Sequence, residues 1–93
     1  MRNAHACRVD ANQQDIVDAM RRCGATVQLL NRVGDGCPDL LVGIRRVNLL
    51  VEVKTDWKQS LKDDQKKWHE EWRGQVCTIY SVEDAVNLIN SVR

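Results

Sequence analysis

Two carboxylates and one amine stand where they could act on a common substrate. Asp39 stands at the head of one apolar run, and Glu52 and Lys54 close another. Side chains two apart on a β-strand share a face, so Glu52 and Lys54 are predicted to point the same way. A divalent cation between Asp39 and Glu52 would relieve the repulsion between neighbouring carboxylates. The pattern therefore predicts a metal site with Lys54 as its positive neighbour.

The separation of Asp39 from Glu52 depends on the turn between the two runs, which together read as a β-hairpin. A loop centred on Arg45-Arg46 pairs Gly43 with Asn48. Four residues further out on each strand, Asp39 then lies opposite Glu52, and opposed residues have Cβ atoms about 5 Å apart. A loop of two or four residues keeps this pairing, whereas a loop of three residues moves Glu52 out of register.

Each of the three charged residues also has an ordinary explanation. Asp39 could cap the turn after Pro38, and Glu52 and Lys54 could be solvated residues of an edge strand. The two runs are otherwise strongly apolar, and such runs are predicted to be buried on both faces of the sheet. Because buried charges are rarely present without partners, the three charges together favour a site.

Two predicted amphipathic helices each carry a glutamine where the apolar stripe expects a hydrophobic residue. Gln13 extends the stripe of the first helix, and Gln65 interrupts that of the second. One such glutamine would be a boundary residue, but two beside a charged hairpin indicate a polar pocket that both helices line. Trp68 and Trp72 complete the second stripe and are predicted to pack in the core.

The remaining pattern predicts a single domain of 93 residues with the order α-β-β-β-α-β-α. Helices are predicted at about 12–23, 62–72 and 82–89, and strands at about 26–30, 40–43, 48–54 and 76–80. Segment 31–38 contains two glycines before Pro38 and predicts a flexible loop that lets a phosphate backbone come close.

The composition limits the partners and the compartment. A net charge of +1 neither requires nor excludes nucleic acid, so any phosphate contacts must come from local basic clusters. The candidate DNA-binding residues are Arg45, Arg46, Lys58, Lys62 and Lys66, although each cluster also fits a solvated surface. The four cysteines lack CxxC and zinc-finger spacing, and neither a signal peptide nor a membrane-length apolar run is present. We expect a reduced, cytoplasmic protein.

These residues, in this order, resemble the PD-(D/E)XK nucleases. Within that superfamily the chain is most similar to the small VRR-NUC domains, which occur as stand-alone phage proteins and are related to Holliday-junction resolvases. Gly36-Cys37-Pro38-Asp39-Leu40 resembles the family's G-x-PD-L, Glu52-Val53-Lys54 its E-x-K, and Gln65 the glutamine of the following helix. The resemblance covers about 13–90. It implies an α/β fold with a restriction-endonuclease-like αβββαβ core, in which helices flank a mixed central sheet.

The resemblance also implies a role for each matched residue. Asp39 and Glu52 would coordinate Mg²⁺ or Mn²⁺ together with the backbone carbonyl of Val53. Lys54 would orient the attacking water or stabilise the charge that develops on the phosphate. Gln65 would support the lysine or the substrate strand. Oxygen ligands of this kind suit Mg²⁺, which keeps several waters.

One position departs from the family pattern. Many relatives carry a glutamate in the first helix where this chain has Gln13, and an amide can hydrogen-bond metal-bound water but adds no charge. The number of metal ions is therefore left open between one and two.

The implied activity is that of a metal-dependent DNA endonuclease in a bacterial or phage-infected host cell. It would hydrolyse phosphodiester bonds in branched or duplex DNA, selecting junctions, flaps or nicking sites by structure rather than by sequence. A homodimer is expected, because two sites related by a two-fold axis suit a four-way junction or both strands of a duplex. Two alternatives remain, a non-catalytic nucleic-acid-binding module on the same fold and a small protein-interaction subunit. The intact set of Asp39, Glu52 and Lys54 opposes the first.

Overall fold

The computed structural model describes residues 11–56 and 60–93 of the chain. The elements are α1 (Ala11–Arg22), β1 (Thr26–Leu29), β2 (Leu40–Ile44), β3 (Val47–Val53), α2 (Asp63–Glu71), β4 (Val76–Ile79) and α3 (Val82–Ser91). The order is the predicted one, and the element ends differ from the predicted ends by about one or two residues, within the usual uncertainty of helix and strand boundaries.

The four strands form one mixed sheet in the order β1-β2-β3-β4. Strands β1, β2 and β3 are antiparallel neighbours, and β4 runs parallel to β3. Parallel neighbours need a crossover connection, and the segment that contains α2 supplies it. The predicted α/β architecture, a mixed sheet flanked by helices, is confirmed.

The β2–β3 hairpin has the register that the sequence predicts. Its loop consists of Arg45 and Arg46, which both have positive φ angles, 48° and 67°. Two consecutive residues of this kind give a turn whose twist matches that of the strands. Gly43 pairs with Asn48 at the turn, and Leu40 pairs with Val51 at the other end of the ladder. One further step outward from that last pair brings Asp39 opposite Glu52.

The core lies between one face of the sheet and the helices α1 and α3. Alternate residues of the strands point into it, as the period of a strand requires. Its buried members are Ile16, Val17, Met20, Ala25, Leu40, Val42, Leu49, Val51, Ile79, Ala85 and Ile89. No helix within residues 11–56 and 60–93 combines the length and hydropathy that crossing a membrane would require.

The opposite face of the sheet is more open than the sequence indicated. Leu41 is 37% exposed, and Leu50 is only half-buried. The prediction that both hairpin strands are buried on both faces is therefore wrong. The reason is that α1 and α3 both pack on the core face, whereas none of the residues Asp63–Glu71 of α2 is buried.

The tryptophans that follow Gln65 along the chain also differ from expectation. Trp72 is 45% exposed and stacks on the half-buried Trp68, with ring centroids 4.6 Å apart. Neither ring belongs to the core cluster, so the prediction of core packing is wrong. The two indoles instead stack on each other, and residues four apart on a helical turn have the same spacing as a core-facing stripe.

Candidate active site

The two carboxylates predicted to face each other meet at one end of the hairpin. Asp39 directly precedes β2, and Glu52 is the penultimate residue of β3. The Oδ2 atom of Asp39 accepts a hydrogen bond of 2.8 Å from the backbone N–H of Val53. This bond draws the Asp39 side chain across to β3, where its carboxylate lies beside that of Glu52.

Glu52 is almost completely buried, with 2% of its surface exposed. Burial, together with the neighbouring charge of Asp39, raises its pKa from the ordinary value of 4.5 to about 8, although Lys54 acts in the opposite direction. Its Oε1 atom is buried and has no hydrogen-bond partner among the described residues. A buried carboxylate oxygen without a donor is a costly arrangement that a bound cation or a proton relieves.

Lys54 and Gln65 form a polar cluster with Glu52. The Lys54 Nζ atom lies 3.7 Å from Glu52 Oε2 and donates to Gln65 Oε1 over 2.9 Å. Gln65 Nε2 in turn donates to Glu52 Oε2 over 3.2 Å. The amide thus presents its oxygen to the ammonium and its NH₂ group to the carboxylate, the only orientation in which both bonds form.

Gln65 also caps the helix that carries it. Its Oε1 atom accepts a hydrogen bond of 3.0 Å from the backbone N–H of Lys62, at the start of α2. Amide groups at a helix N-terminus lack intrahelical acceptors, so this bond satisfies one of them. The same side chain therefore begins α2 and holds Lys54.

Gly36 fixes the distance between the loop before Asp39 and the first turn of α2. Its φ is +82°, which favours glycine. A Cβ atom built at this position would overlap the backbone carbonyl of Asp64 and would lie 3.1 Å from the backbone nitrogen of Gln65. The glycine of the G-x-PD-L segment therefore allows α2 to approach closely enough for Gln65 to reach Glu52.

Asn31 is a site residue that the sequence did not reveal. Its Nδ2 atom donates to Asp39 Oδ1 over 3.1 Å and to Gln13 Oε1 over 3.2 Å. Gln13 Nε2 donates back to Asn31 Oδ1 over 2.8 Å, and Gln13 is buried, with 5% of its surface exposed. Gln13 thus reaches Asp39 through Asn31, whereas Gln65 contacts Glu52 and Lys54 directly.

The β1–β2 pairing brings Asn31 to the site. Leu29 pairs with Leu40, and the backbone N–H of Leu30 donates to the carbonyl of Asp39 over 2.7 Å. Continuing that register brings Asn31 to the same end of the sheet as Asp39. Cys37 also lies close by. Its burial and the charges of Asp39 and Glu52 raise the pKa of its thiol.

The proposed DNA-binding residues fall in different places. Lys62 and Lys66 are exposed at the start of α2, on either side of Gln65. Arg45 and Arg46 form the hairpin turn, and Arg46 lies about 20 Å along the strand direction from Glu52 at the usual rise of a strand. Arg45 Nη1 donates to the carbonyl of Ile89 in α3 over 3.0 Å, which gives this residue a structural role. Lys58 lies outside the described residues.

The donor set fits a hard divalent cation with few protein ligands. Within residues 11–56 and 60–93, no three His, Cys, Asp or Glu side chains cluster as metal ligands. Two carboxylates and a nearby backbone carbonyl suit Mg²⁺, which binds through one or two carboxylates and retains several waters. Glu52 Oε1, which has no partner among the described residues, is an atom that such an ion would satisfy.

A solved structure has a similar fold. That structure, described as a VRR_NUC domain, is 30% identical to this chain and superposes with a TM-score of 0.72. The match covers 87% of this chain and 92% of that one. No family model and no curated protein matches the chain. The shared fold and sequence place this chain in the VRR-NUC family, and it is a nuclease-type domain.

Proposed function

We propose that this protein is a DNA endonuclease that requires Mg²⁺ or Mn²⁺ and hydrolyses phosphodiester bonds. The observation that carries the proposal is the buried Glu52 carboxyl group, which lies beside Asp39 and has an oxygen without a partner among the described residues. Two ionised carboxylates at one point are costly to fold, and a bound cation would offset that cost.

Asp39 and Glu52 would hold the ion, and the carbonyl of Val53 is the proposed third protein ligand. When bound, Mg²⁺ or Mn²⁺ lowers the pKa of a coordinated water and offsets charge on the phosphate oxygens. Asp39 is prepared for this task because the N–H of Val53 fixes one of its oxygens. Glu52 must release its proton to bind the ion, since its pKa is raised to about 8.

Lys54 would stabilise the negative charge that develops on the phosphate during attack, or orient the attacking water. Only 12% of its side chain is exposed, and the oxygen of Gln65 holds its ammonium group on the side of Glu52. A donor that is already oriented loses little reorganisation energy in the transition state. Gln65 would serve as its support, consistent with the 2.9 Å bond between them.

The proposed substrate is branched or duplex DNA, recognised by shape and phosphate contacts. A domain of 93 residues offers little surface for reading base edges. Lys62 and Lys66 are exposed on either side of Gln65 in the sequence, so we assign the main phosphate contacts to them. A homodimer that presents two sites to two strands remains part of the proposal. Light scattering with size-exclusion chromatography tests it directly.

Plasmid nicking with and without Mg²⁺ tests the proposed activity. Wild-type protein should nick supercoiled plasmid with Mg²⁺ and not with EDTA, and Asp39→Ala and Glu52→Ala should each abolish nicking while remaining folded. Glu83→Ala is the matched control, because Glu83 is an exposed carboxylate in the first turn of α3. Wild-type rates in either site variant would exclude the proposed metal ligands.

Plasmid nicking and a gel-shift assay together distinguish this activity from the two alternative functions. A non-catalytic nucleic-acid-binding module would shift DNA in a gel but leave the plasmid intact at every Mg²⁺ concentration. A protein-interaction subunit would neither nick nor shift DNA. The affinity for DNA should fall with rising salt if Lys62 and Lys66 contact phosphates.

A further inference from the structure

Asp39 is held from two sides by donors of different kinds. The backbone N–H of Val53 binds its Oδ2 atom, and the side-chain NH₂ of Asn31 binds its Oδ1 atom. Both carboxylate oxygens therefore have a fixed direction. Rotation about the Cβ–Cγ bond moves both oxygens, so it would break two hydrogen bonds rather than one.

The orientation of Asn31 is determined by its two neighbours. An ionised carboxylate only accepts hydrogen bonds, so Asn31 must turn its NH₂ group toward Asp39. Its oxygen then points away and accepts from Gln13 Nε2, while its NH₂ group also donates to Gln13 Oε1. The two amides thus bind each other reciprocally. Reversing Asn31 would break all three of these bonds.

Gln13 is suited to hold Asn31 rather than to bind a metal itself. It is buried on α1, whose neighbouring residues Ile16 and Val17 belong to the core. A side chain on a rigid, well-packed helix is a stable anchor for a residue in a loop. Both ends of its amide are engaged by Asn31, which itself lies just after β1, outside the regular elements.

We propose that Asn31 is a positioning residue that fixes the Asp39 carboxylate, and that Gln13 acts on Asp39 through Asn31. This inference rests on the proposed function, in which Asp39 binds the metal ion. The amide pair gives the carboxylate a second anchor without adding charge. Gln13 and Asn31 form a neutral hydrogen-bonded pair beside the carboxylates of Asp39 and Glu52. An acid in place of Gln13 would add a third negative charge there.

The test measures binding of Mn²⁺ alone, from the electron paramagnetic resonance signal of the free ion. Asn31→Leu should weaken Mn²⁺ binding about tenfold, the lower end of the effect of losing a hydrogen-bond partner of a metal ligand. Gln13→Leu should weaken it less, and leucine keeps the helix intact. Gln14→Leu is the matched control, because the Gln14 amide binds the exposed Asp18 carboxylate instead.

The double variant Gln13→Leu/Asn31→Leu tests the relay. If Gln13 acts only through Asn31, the double variant should bind Mn²⁺ as weakly as Asn31→Leu alone. Losses that multiply would show that Gln13 reaches the ion independently and would overturn the relay. Wild-type Mn²⁺ affinity in Asn31→Leu would overturn the positioning role itself.

A metal-free readout separates this inference from the proposed function. The Val53 amide donates to Asp39 Oδ2, so its ¹⁵N–¹H resonance reports on the Asp39 carboxylate. In EDTA, Asn31→Leu and Gln13→Leu should shift this resonance, and Gln14→Leu should not. An unshifted Val53 resonance in Asn31→Leu contradicts the inference. Absence of DNA cleavage by the wild-type protein contradicts the proposed function and leaves this resonance as the test of Asn31.

Discussion

Replacing Glu52 with glutamine should stabilise the metal-free protein at neutral and alkaline pH. The glutamine keeps the shape of the side chain and removes the charge that burial and Asp39 disfavour. In the wild type, folding must either keep Glu52 protonated or bury a second negative charge beside the first. Glu52→Gln has neither cost, so its advantage over the wild type should depend on pH.

The raised pKa of Glu52, about 8 against an ordinary value of 4.5, sets the size and the sign of the effect. Between these values the folded chain holds a proton that the unfolded chain has released, so the free energy of unfolding falls as pH rises. The fall is about 1.4 kcal/mol per pH unit. The penalty amounts to about 3 kcal/mol at neutral pH and levels off above the folded pKa, at about 5 kcal/mol.

Urea unfolding of both proteins in EDTA, between about pH 5 and pH 9, measures this difference. The variant should gain on the wild type steadily up to about pH 8 and then keep a constant advantage. Taking the difference cancels the titration of groups that do not interact with Glu52. Adding Mg²⁺ should stabilise the wild type and not the variant, because ligand binding stabilises only the state that binds it. A stability difference that does not vary with pH would refute the reasoning.

Three further predictions concern the groups around the carboxylates. Lys54→Ala should slow nicking at least about 100-fold while Mn²⁺ binding and most DNA affinity remain, and Lys67→Ala, at an exposed lysine, is the control. Normal turnover of the bound complex would contradict the role given to Lys54. Gln65→Leu should slow nicking roughly tenfold and lower the free energy of unfolding by about 1 kcal/mol, because the helix cap is lost. Unchanged turnover across Mg²⁺ concentrations would show that Gln65 does not belong to the site. Gly36→Ala should lower the free energy of unfolding by about 1–3 kcal/mol, because its φ is positive and its Cβ would meet the backbone of Asp64. Gly34 has a similar positive φ but no close neighbour among the described residues, so Gly34→Ala measures the cost of φ alone.

The arrangement of the charged hairpin could be predicted from the sequence because local rules determine it. A two-residue turn and the two-residue period of a strand suffice to place Asp39 opposite Glu52 and to direct Lys54 to the same face. Gln65 could be assigned to the same polar site because it interrupts the apolar stripe of the second predicted helix. None of these steps requires knowledge of distant parts of the chain.

The parts that could not be predicted depend on contacts between distant segments. Asn31 reaches Asp39 only through the pairing of β1 with β2, and the loop of residues 31–38 hides that register. The stripe formed by Trp68 and Trp72 has the same spacing whether the rings enter a core or stack on each other. Which of these occurs depends on whether helices cover the face of the sheet opposite the core. Helical periodicity alone does not specify that.

The attachment of α2 has a consequence for how this family can diversify. None of the residues Asp63–Glu71 is buried, and the described contacts of this helix with the rest of the chain include Gln65 with Glu52 and Lys54 and the backbone approach at Gly36. The folding stability of the domain therefore depends little on most of the α2 sequence. Mutations on its outer surface can accumulate at low thermodynamic cost, since exposed substitutions usually change stability by less than about 0.5 kcal/mol. The outer surface of α2 can thus change in sequence largely independently of the fold.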